Sequence, residues 1–143
     1  MSTFPYFLFK TQTIEHFSFE SQTTREIQLD EPWIKELSGW TSETKEAIEL
    51  RSFKQIILPF PRFVDGRSYS LARLLRGPLQ YQGQLLASGE IALDQVPYLY
   101  EVGFDGFEVP ASPLNQNLES IQSITQRLLD RPAQYQKRLK HPS

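Results

Sequence analysis

The sequence contains no cysteine, which excludes disulfide bonds, thiolate ligation of metals or iron–sulfur clusters, and a reactive thiol. Histidine is almost as scarce, because His16 and His141 are the only two and both lie near the termini. A zinc cluster or a histidine-based catalytic triad inside the domain is therefore not expected. The chain also lacks a run of about 18 apolar residues, a basic signal-peptide leader, and the glycine-rich or nucleophile motifs of common cofactor and hydrolase sites. These absences predict no metal, no bound cofactor, no membrane partner and a cytoplasmic location.

The net charge is also small, because 15 Lys and Arg residues nearly balance 17 Asp and Glu residues, which gives −2. A nucleic-acid partner is therefore not expected. The charges are nevertheless segregated along the chain: residues 50–76 hold six basic residues and one acid (+5), and residues 77–126 hold six acids and no base (−6). This polarity either steers an anion or an acidic partner toward the basic stretch, or the two stretches pair with each other in the fold.

A length of 143 residues and a composition with 39% hydrophobic and 22% charged residues predict one soluble globular domain. Aromatic-rich runs at residues 6–10 and 14–20 indicate two short strands that form a hairpin, and residues 25–29 indicate a third strand. A short helix is expected between Pro32 and Gly39, and an amphipathic helix over residues 41–50.

The second half of the chain alternates short apolar runs with helical patterns. Strands predicted at 56–58, 85–87 and 104–109 precede helices predicted at 69–76, 95–102 and 114–129. This order is typical of an α/β fold with a mainly parallel sheet built of βαβ units. An open sheet and a partial barrel share the same local periods, so both remain possible outcomes. Within the single domain we distinguish an N-terminal part (1–54), a central block (55–110), a C-terminal helix (111–131) and a polar tail (132–143).

The most distinctive segment spans residues 58–70, which join a predicted strand to a predicted helix. In parallel sheets ligands bind outside the carboxyl ends of the strands, and a helix start offers free backbone N–H groups. The candidate ligand-binding residues for a small oxyanion, such as phosphate, sulfate or sulfite, are Arg67, Ser68 and Ser70 at the helix start, with Arg62 nearby. The alternative interpretation is structural: Ser68 caps the helix, Asp65 and Gly66 form a turn, and Arg67 pairs with Asp65.

Glu90 is a further candidate, because it follows the next predicted strand and would lie at the same edge of the sheet. With Asp65 it would form a pair of acids suited to acid–base catalysis or magnesium binding. The alternative is a solvated loop residue ahead of a helix that Asp94 caps.

These residues carry a family resemblance. It is found in the run from Phe60 to Arg76, in the short segments at 81–85 and 89–91, and in the sequence Gly103-Phe104-Asp105-Gly106-Phe107. These segments resemble the bacterial domain of unknown function 934 family, chiefly over residues 55–110. Members of that family are described as oxidoreductases involved in sulfite reduction, because their genes lie beside those of assimilatory sulfite reductase. The chain departs from the family pattern at Gln84, Leu86, Glu90, Glu101 and Val102. The resemblance implies that the functional residues are those that keep the pattern, and these add to the candidate ligand-binding residues: Asp65, Gly66, Arg67, Tyr69, Ser70, Arg73 and Arg76.

The resemblance implies an accessory protein of sulfur assimilation that acts with a partner enzyme such as sulfite reductase. Two alternatives come from the residues themselves. One is an enzyme or sensor that binds a small oxyanion or phosphorylated metabolite at residues 65–70, and the other is a module that forms a homodimer through the same block. At the level of sequence all three hypotheses stay open, and so does the question of whether the protein is an enzyme.

Overall fold

The computed structural model describes residues 3–60, 66–109 and 114–129. Arg62, Asp65 and the predicted polar tail lie outside these residues. The described part contains six strands, four α-helices and two 3₁₀-helices. The strands are β1 (Phe4–Leu8), β2 (Thr13–Phe17), β3 (Thr24–Glu26), β4 (Gln55–Phe60), β5 (Gln84–Gly89) and β6 (Gly106–Glu108). The α-helices are α1 (Lys45–Arg51), α2 (Arg67–Arg76), α3 (Val96–Glu101) and α4 (Leu114–Leu129), and the 3₁₀-helices are Pro32–Gly39 and Leu93–Gln95.

All six strands form one sheet with the order β2-β1-β6-β5-β4-β3. Strands β3, β4, β5 and β6 are parallel neighbours, whereas β1 is antiparallel to both β2 and β6. The prediction of a mixed α/β fold with a mainly parallel sheet and antiparallel N-terminal strands is therefore confirmed. Helix α2 follows β4 and helix α3 follows β5, so the loops after these two strands leave from the same edge of the sheet.

The two faces of the sheet are covered differently. On one face, alternate strand residues such as Ile56, Leu58 and Leu85 pack in one buried cluster with residues of all four α-helices. On the other face, a smaller buried cluster contains only strand residues, Tyr6, Leu8, Ile57 and Leu86, with Phe17 and Phe19 packed against it. Apolar side chains on both faces explain the uninterrupted apolar runs in β4 and β5, which are typical of central parallel strands.

Strand β6 is shorter than the segment predicted at 104–109, and the end of α3 explains why. Gly103 adopts a φ of +104°, and its N–H donates to the carbonyl oxygen of Tyr100 at 3.1 Å. The N–H of Phe104 donates to the carbonyl oxygen of Leu99 at 3.0 Å. These bonds complete the last turn of the helix, in the manner of a C-terminal cap with a left-handed glycine. Phe104 is therefore buried in the core and precedes the strand instead of belonging to it.

Among the described residues, no helix combines the length and the apolar character that crossing a membrane requires.

Candidate functional site

The start of α2 fixes the position of the distinctive block. Ser68 is fully buried, and its hydroxyl donates a hydrogen bond to the carbonyl oxygen of Pro59 in β4. Gly66 occupies the position before the helix, and no side chain among the described residues caps the helix. Ser68 thus anchors the helix to the strand that precedes it, instead of capping the helix or facing solvent.

Three other residues of α2 form an exposed stripe. Arg67, Ser70 and Arg73 are spaced three residues apart, which places them along one side of the helix, and all three are exposed. Arg67 and Ser70 lie in the first turn, where backbone N–H groups and the positive end of the helix dipole favour negative charge. The stripe thus places two arginines on the exposed side of the helix.

An aromatic pair lies beside this stripe. The rings of Tyr69 and Tyr98 meet edge to face with centroids 4.5 Å apart. Arg73 donates a hydrogen bond to the hydroxyl oxygen of Tyr98, and its guanidinium carbon lies 5.4 Å from the centre of that ring. Gln95 donates to the hydroxyl oxygen of Tyr69 at 3.2 Å. Burial raises the pKa of Tyr69, and this hydrogen bond partly offsets the rise. We call Arg67, Tyr69, Ser70, Arg73 and Tyr98 the α2–α3 face.

Arg76 points away from this face and into the protein. Its side chain is 4% exposed and makes four hydrogen bonds. Nε donates to the carbonyl oxygen of Gly103 at 2.9 Å, and Nη1 donates to the carbonyl oxygens of Tyr81 at 3.0 Å and Gly83 at 2.8 Å. Nη2 donates to Oδ2 of Asp105 at 2.7 Å. Arg76 lies nine residues after Arg67, a distance of roughly 14 Å along the helix, so it contributes nothing to an anion site at the helix start.

The acceptors of Arg76 come from two connections: Tyr81 and Gly83 lie between α2 and β5, and Gly103 and Asp105 lie between α3 and β6. Asp105 extends the network, because its Oδ2 also accepts the N–H of Leu85 at 2.9 Å. Arg76 therefore holds the segments that lead into β5 and β6. Sequence reasoning placed Arg76 among ligand-binding residues and missed its partner Asp105. The signal that could have found the pair is a charged residue on the apolar side of α2, next to the buried Leu75.

Burial also raises the pKa of Tyr81, although the nearby positive charge of Arg76 acts in the opposite direction. The Tyr81 hydroxyl donates to the carbonyl oxygen of Phe53 at 2.9 Å. Tyr81 is therefore a neutral structural group in the family-like block.

Glu90 follows β5 and is exposed. Because Phe60 and Gly89 pair at the ends of β4 and β5, Glu90 lies at the same edge of the sheet from which the chain passes to α2. Asp65, its predicted companion, is not among the described residues. In the part of the chain that the structure covers, no three His, Asp or Glu side chains form a group able to hold a metal ion.

Among the described residues, Arg76 of the basic stretch forms an ion pair with Asp105 of the acidic stretch. Arg51 of the basic stretch instead donates to the carbonyl oxygen of Leu79 at 2.9 Å, and Arg73 contacts Tyr98. Arg76 therefore pairs with the acidic stretch inside the protein, and Arg73 contacts Tyr98 on the exposed stripe.

Comparison with known proteins agrees with the resemblance that these residues carry. No curated protein and no solved structure matches the chain. One family model matches residues 37–143, which include α2, Arg76 and Asp105, and its description is "Bacterial protein of unknown function (DUF934)". Because this match covers about three quarters of the sequence, the chain belongs to the DUF934 family.

Proposed function

We propose that this protein is an accessory protein of bacterial sulfur assimilation that binds a partner enzyme, such as sulfite reductase, through the α2–α3 face. The sulfur-assimilation part rests on what the family resemblance implies. The structural observation that carries the binding role is the exposed arrangement of Arg73 over Tyr98, with Arg67 on the same stripe.

The composition of this face supports binding to a protein. Tyrosine and arginine are the residues most often found at the energetic centre of protein interfaces. Tyr98 is 41% exposed although it is a large aromatic residue, and Arg73 holds its ring through a hydrogen bond and a cation–π contact. Binding a partner would bury a ring that is already held in place, so little side-chain entropy would be lost.

The charge of the face favours an acidic partner surface. Arg67 and Arg73 lie on one stripe of α2, and a guanidinium donates charge-assisted hydrogen bonds to carboxylates, often two in parallel. Asp94 is close enough to Tyr69 to oppose its ionisation, so the face has an acid at its border and positive charge along α2. Binding should therefore weaken as salt concentration rises.

Two other polar residues of the block, Ser68 and Arg76, support an accessory role over catalysis. The hydroxyl of Ser68 and the guanidinium of Arg76 are bonded to backbone carbonyls inside the protein. Groups engaged in this way hold the fold and are not positioned to react with a substrate. An accessory protein would leave the redox chemistry to the partner.

The test is direct binding to sulfite reductase from the bacterium that encodes this chain, measured by biolayer interferometry. Arg73→Ala and Tyr98→Ala are each expected to weaken the affinity by about 30-fold, the value for an interface residue that contributes about 2 kcal/mol. Arg127→Ala is the matched control, because Arg127 is an exposed arginine on α4, and it should bind as the unmodified chain does.

Two results would count against the proposal. One is equal affinity for the Arg73, Tyr98 and Arg127 variants. The other is the absence of binding to any sulfur-assimilation enzyme, together with normal growth of a deletion strain on sulfate.

Oxyanion binding at the start of α2 is the second candidate. Arg67 and Ser70 support it, because both are exposed in the first turn of a ten-residue helix. It receives no support from Ser68 or Arg76, whose polar atoms face other partners. Calorimetric titration with sulfite, sulfate and phosphate distinguishes the two functions: saturable heat that Arg67→Ala abolishes favours the oxyanion site, and flat titrations remove it.

A further inference from the structure

The sheet face opposite the helices contains a pocket of about 170 Å³. Its lining residues lie in five strands, β1, β3, β4, β5 and β6, and in the loop after β2. The lining residues are Phe4, Tyr6, Phe19, Glu26, Ile57, Ser88, Gly89 and Glu108. None of them belongs to the α2–α3 face, so this pocket is separate from the surface discussed above.

Aromatic rings form one wall of the pocket. The rings of Phe4 and Phe19 are stacked with centroids 6.5 Å apart, and Tyr6 meets Phe19 edge to face at 5.6 Å. Phe17 packs against this wall, because its ring stacks on that of Phe19 with centroids 5.3 Å apart. Phe4 is 43% exposed, so an aromatic surface borders the mouth. The faces of such rings carry partial negative charge and attract cations.

The charged groups of the pocket are both acids. Glu26 ends β3, and Glu108 lies in β6 directly opposite Tyr6. One carboxylate oxygen of Glu108, Oε1, accepts the N–H of Gly89 at 2.9 Å, which fixes the orientation of the carboxylate and leaves its second oxygen for a ligand. No Lys, Arg or His is among the lining residues. Two carboxylates without a neutralising base make the pocket electronegative.

Tyr6 adds a neutral hydrogen-bonding group to the pocket. The residue is 2% exposed and lines the pocket, yet its hydroxyl has no hydrogen-bond partner among the residues that the structure describes. Burial raises the pKa of this hydroxyl, and the charges of Glu108 and Glu26 raise it further. The group therefore stays a neutral phenol beside two carboxylates. No buried side-chain nitrogen or oxygen of the described residues lacks a hydrogen-bond partner, so the hydroxyl oxygen of Tyr6 is reached by solvent at the pocket wall and can contact a ligand there.

We propose that this pocket binds a primary alkylammonium group. The ammonium would donate N–H bonds to Glu26, Glu108 and the Tyr6 hydroxyl, and the alkyl chain would lie against the rings of Phe4 and Phe19. An anion would be repelled by the two carboxylates. A neutral ligand would leave both carboxylates without a counter-charge.

The size of the pocket sets the length of the ligand. A dry protein cavity of about 150 Å³ holds benzene, so a pocket of about 170 Å³ has room for about six non-hydrogen atoms. Both n-butylammonium and the outer part of a lysine side chain fit this limit. The same chemistry can thus come from a free amine or from a lysine of a partner protein.

The first experiment is an NMR titration of the full chain with n-butylammonium at low ionic strength. The amide of Gly89 is the reporter, because it donates to Glu108 inside the pocket. Saturable shifts with a Kd on the order of millimolar are expected for so small a ligand. The neutral analogue 1-butanol should give no saturable shift. Sodium acetate should shift the Gly89 amide signal only as much as the same increase in ionic strength does.

Variants connect the shifts to the pocket. Glu108→Gln and Glu26→Gln are each expected to weaken binding at least fivefold. Glu119→Gln is the matched control, since Glu119 is an exposed acid on α4, and its Kd should equal that of the unmodified chain. If Glu108→Gln disturbs the fold, Glu26→Gln decides the question, because Glu26 is exposed at the end of its strand.

A parallel titration with Nα-acetyl-lysine N-methylamide separates the two sources of the ammonium group. A Kd close to that of n-butylammonium supports a partner lysine, and binding at least tenfold weaker supports a free amine. The proposal is overturned if n-butylammonium gives no saturable shift at Gly89, if 1-butanol binds equally well, or if both pocket variants bind as Glu119→Gln does.

Discussion

Replacing Arg76 by alanine tests whether this residue holds the fold together or serves a ligand. The substitution removes four hydrogen bonds, three to backbone carbonyls and one to the Asp105 carboxylate. It also removes the aliphatic part of the side chain and the cation 5.7 Å from the centre of the Tyr81 ring. Helix propensity hardly changes, because arginine and alanine are both good helix formers.

The size of the expected loss in stability depends on the groups that lose Arg76 as their partner. Hydrogen bonds from a charged donor contribute about 1.5 to 3 kcal/mol each, but a simple sum overestimates the loss. The side chain of Asp105 is 39% exposed, so water solvates its carboxylate, and it keeps the N–H of Leu85. Breaking a buried ion pair from one side costs about 3 to 5 kcal/mol. We therefore expect Arg76→Ala to lower the free energy of unfolding by about 3 to 4 kcal/mol, a large part of the 5 to 15 kcal/mol typical of a domain.

The assay is urea unfolding followed by circular dichroism, with thermal unfolding alongside. For a domain of this size the loss corresponds to a fall in Tm of roughly 10 to 15 °C. Arg76→Lys keeps the charge but has a single nitrogen for acceptors that lie in different directions, so about half of the loss is expected. Arg73→Ala, in the same helix but exposed, is the control and should change the free energy by less than about 1 kcal/mol.

Two results would refute the structural role of Arg76. A loss of less than about 1 kcal/mol for Arg76→Ala would show that the four hydrogen bonds contribute little. Full stability of Arg76→Lys would show that charge alone, and not the forked geometry of the guanidinium, is needed.

The remaining predictions concern a glycine, a carboxylate and a serine. Gly103→Ala should destabilise the protein by about 2 to 3 kcal/mol, measured by urea unfolding, because φ is +104° and a Cβ would lie 2.6 Å from Cγ of Arg76; a loss below about 0.5 kcal/mol would contradict the observed close approach. Although burial acts to raise it, the pKa of Glu31 is lowered below its ordinary value of 4.5, mainly by its hydrogen bond from Arg25. The stabilisation is therefore present above pH 4.5 and is lost as the pH falls through the lowered pKa. Glu31→Gln should thus cost stability at pH 7 and progressively less in acid, and a cost independent of pH would refute the assignment. Ser68→Ala should cost about 1 to 2 kcal/mol, because it leaves a carbonyl at the end of β4 without its buried donor, and Ser70→Ala, at an exposed position, is the control that should be neutral.

Much of the secondary structure follows from local pattern. Helix α4 has the same bounds as the predicted helix at 114–129, and the 3₁₀-helix Pro32–Gly39 ends at the glycine expected to end it. Strands β4 and β5 contain the apolar runs that indicated them. These elements were predictable because side-chain periodicity and turn residues act within a few positions of the chain.

The candidate site was less predictable, and Arg76 and Ser68 show why. Spacing along α2 indicates which side chains share a side of the helix, but it does not show which side faces the protein. Both residues were grouped with the exposed Arg67 and Ser70, yet Ser68 and Arg76 are buried. Their acceptors lie in other elements, at Pro59 of β4 and in the segments around β5 and β6.

The sequence by itself determined the absence of thiol chemistry, the family, and a mainly parallel sheet with an N-terminal hairpin, because composition and local periodicity carry that information. Only the tertiary structure decided that β1 pairs with β6, so that Tyr6 lies opposite Glu108 although about a hundred residues separate them. The same strand order brings Glu26 of β3 to the pocket that Tyr6 lines. Strand pairing depends on which apolar faces can be buried together across the whole chain. Local pattern fixes which residues of a strand share a face, and the packed sheet fixes which strands, and therefore which charges, become neighbours.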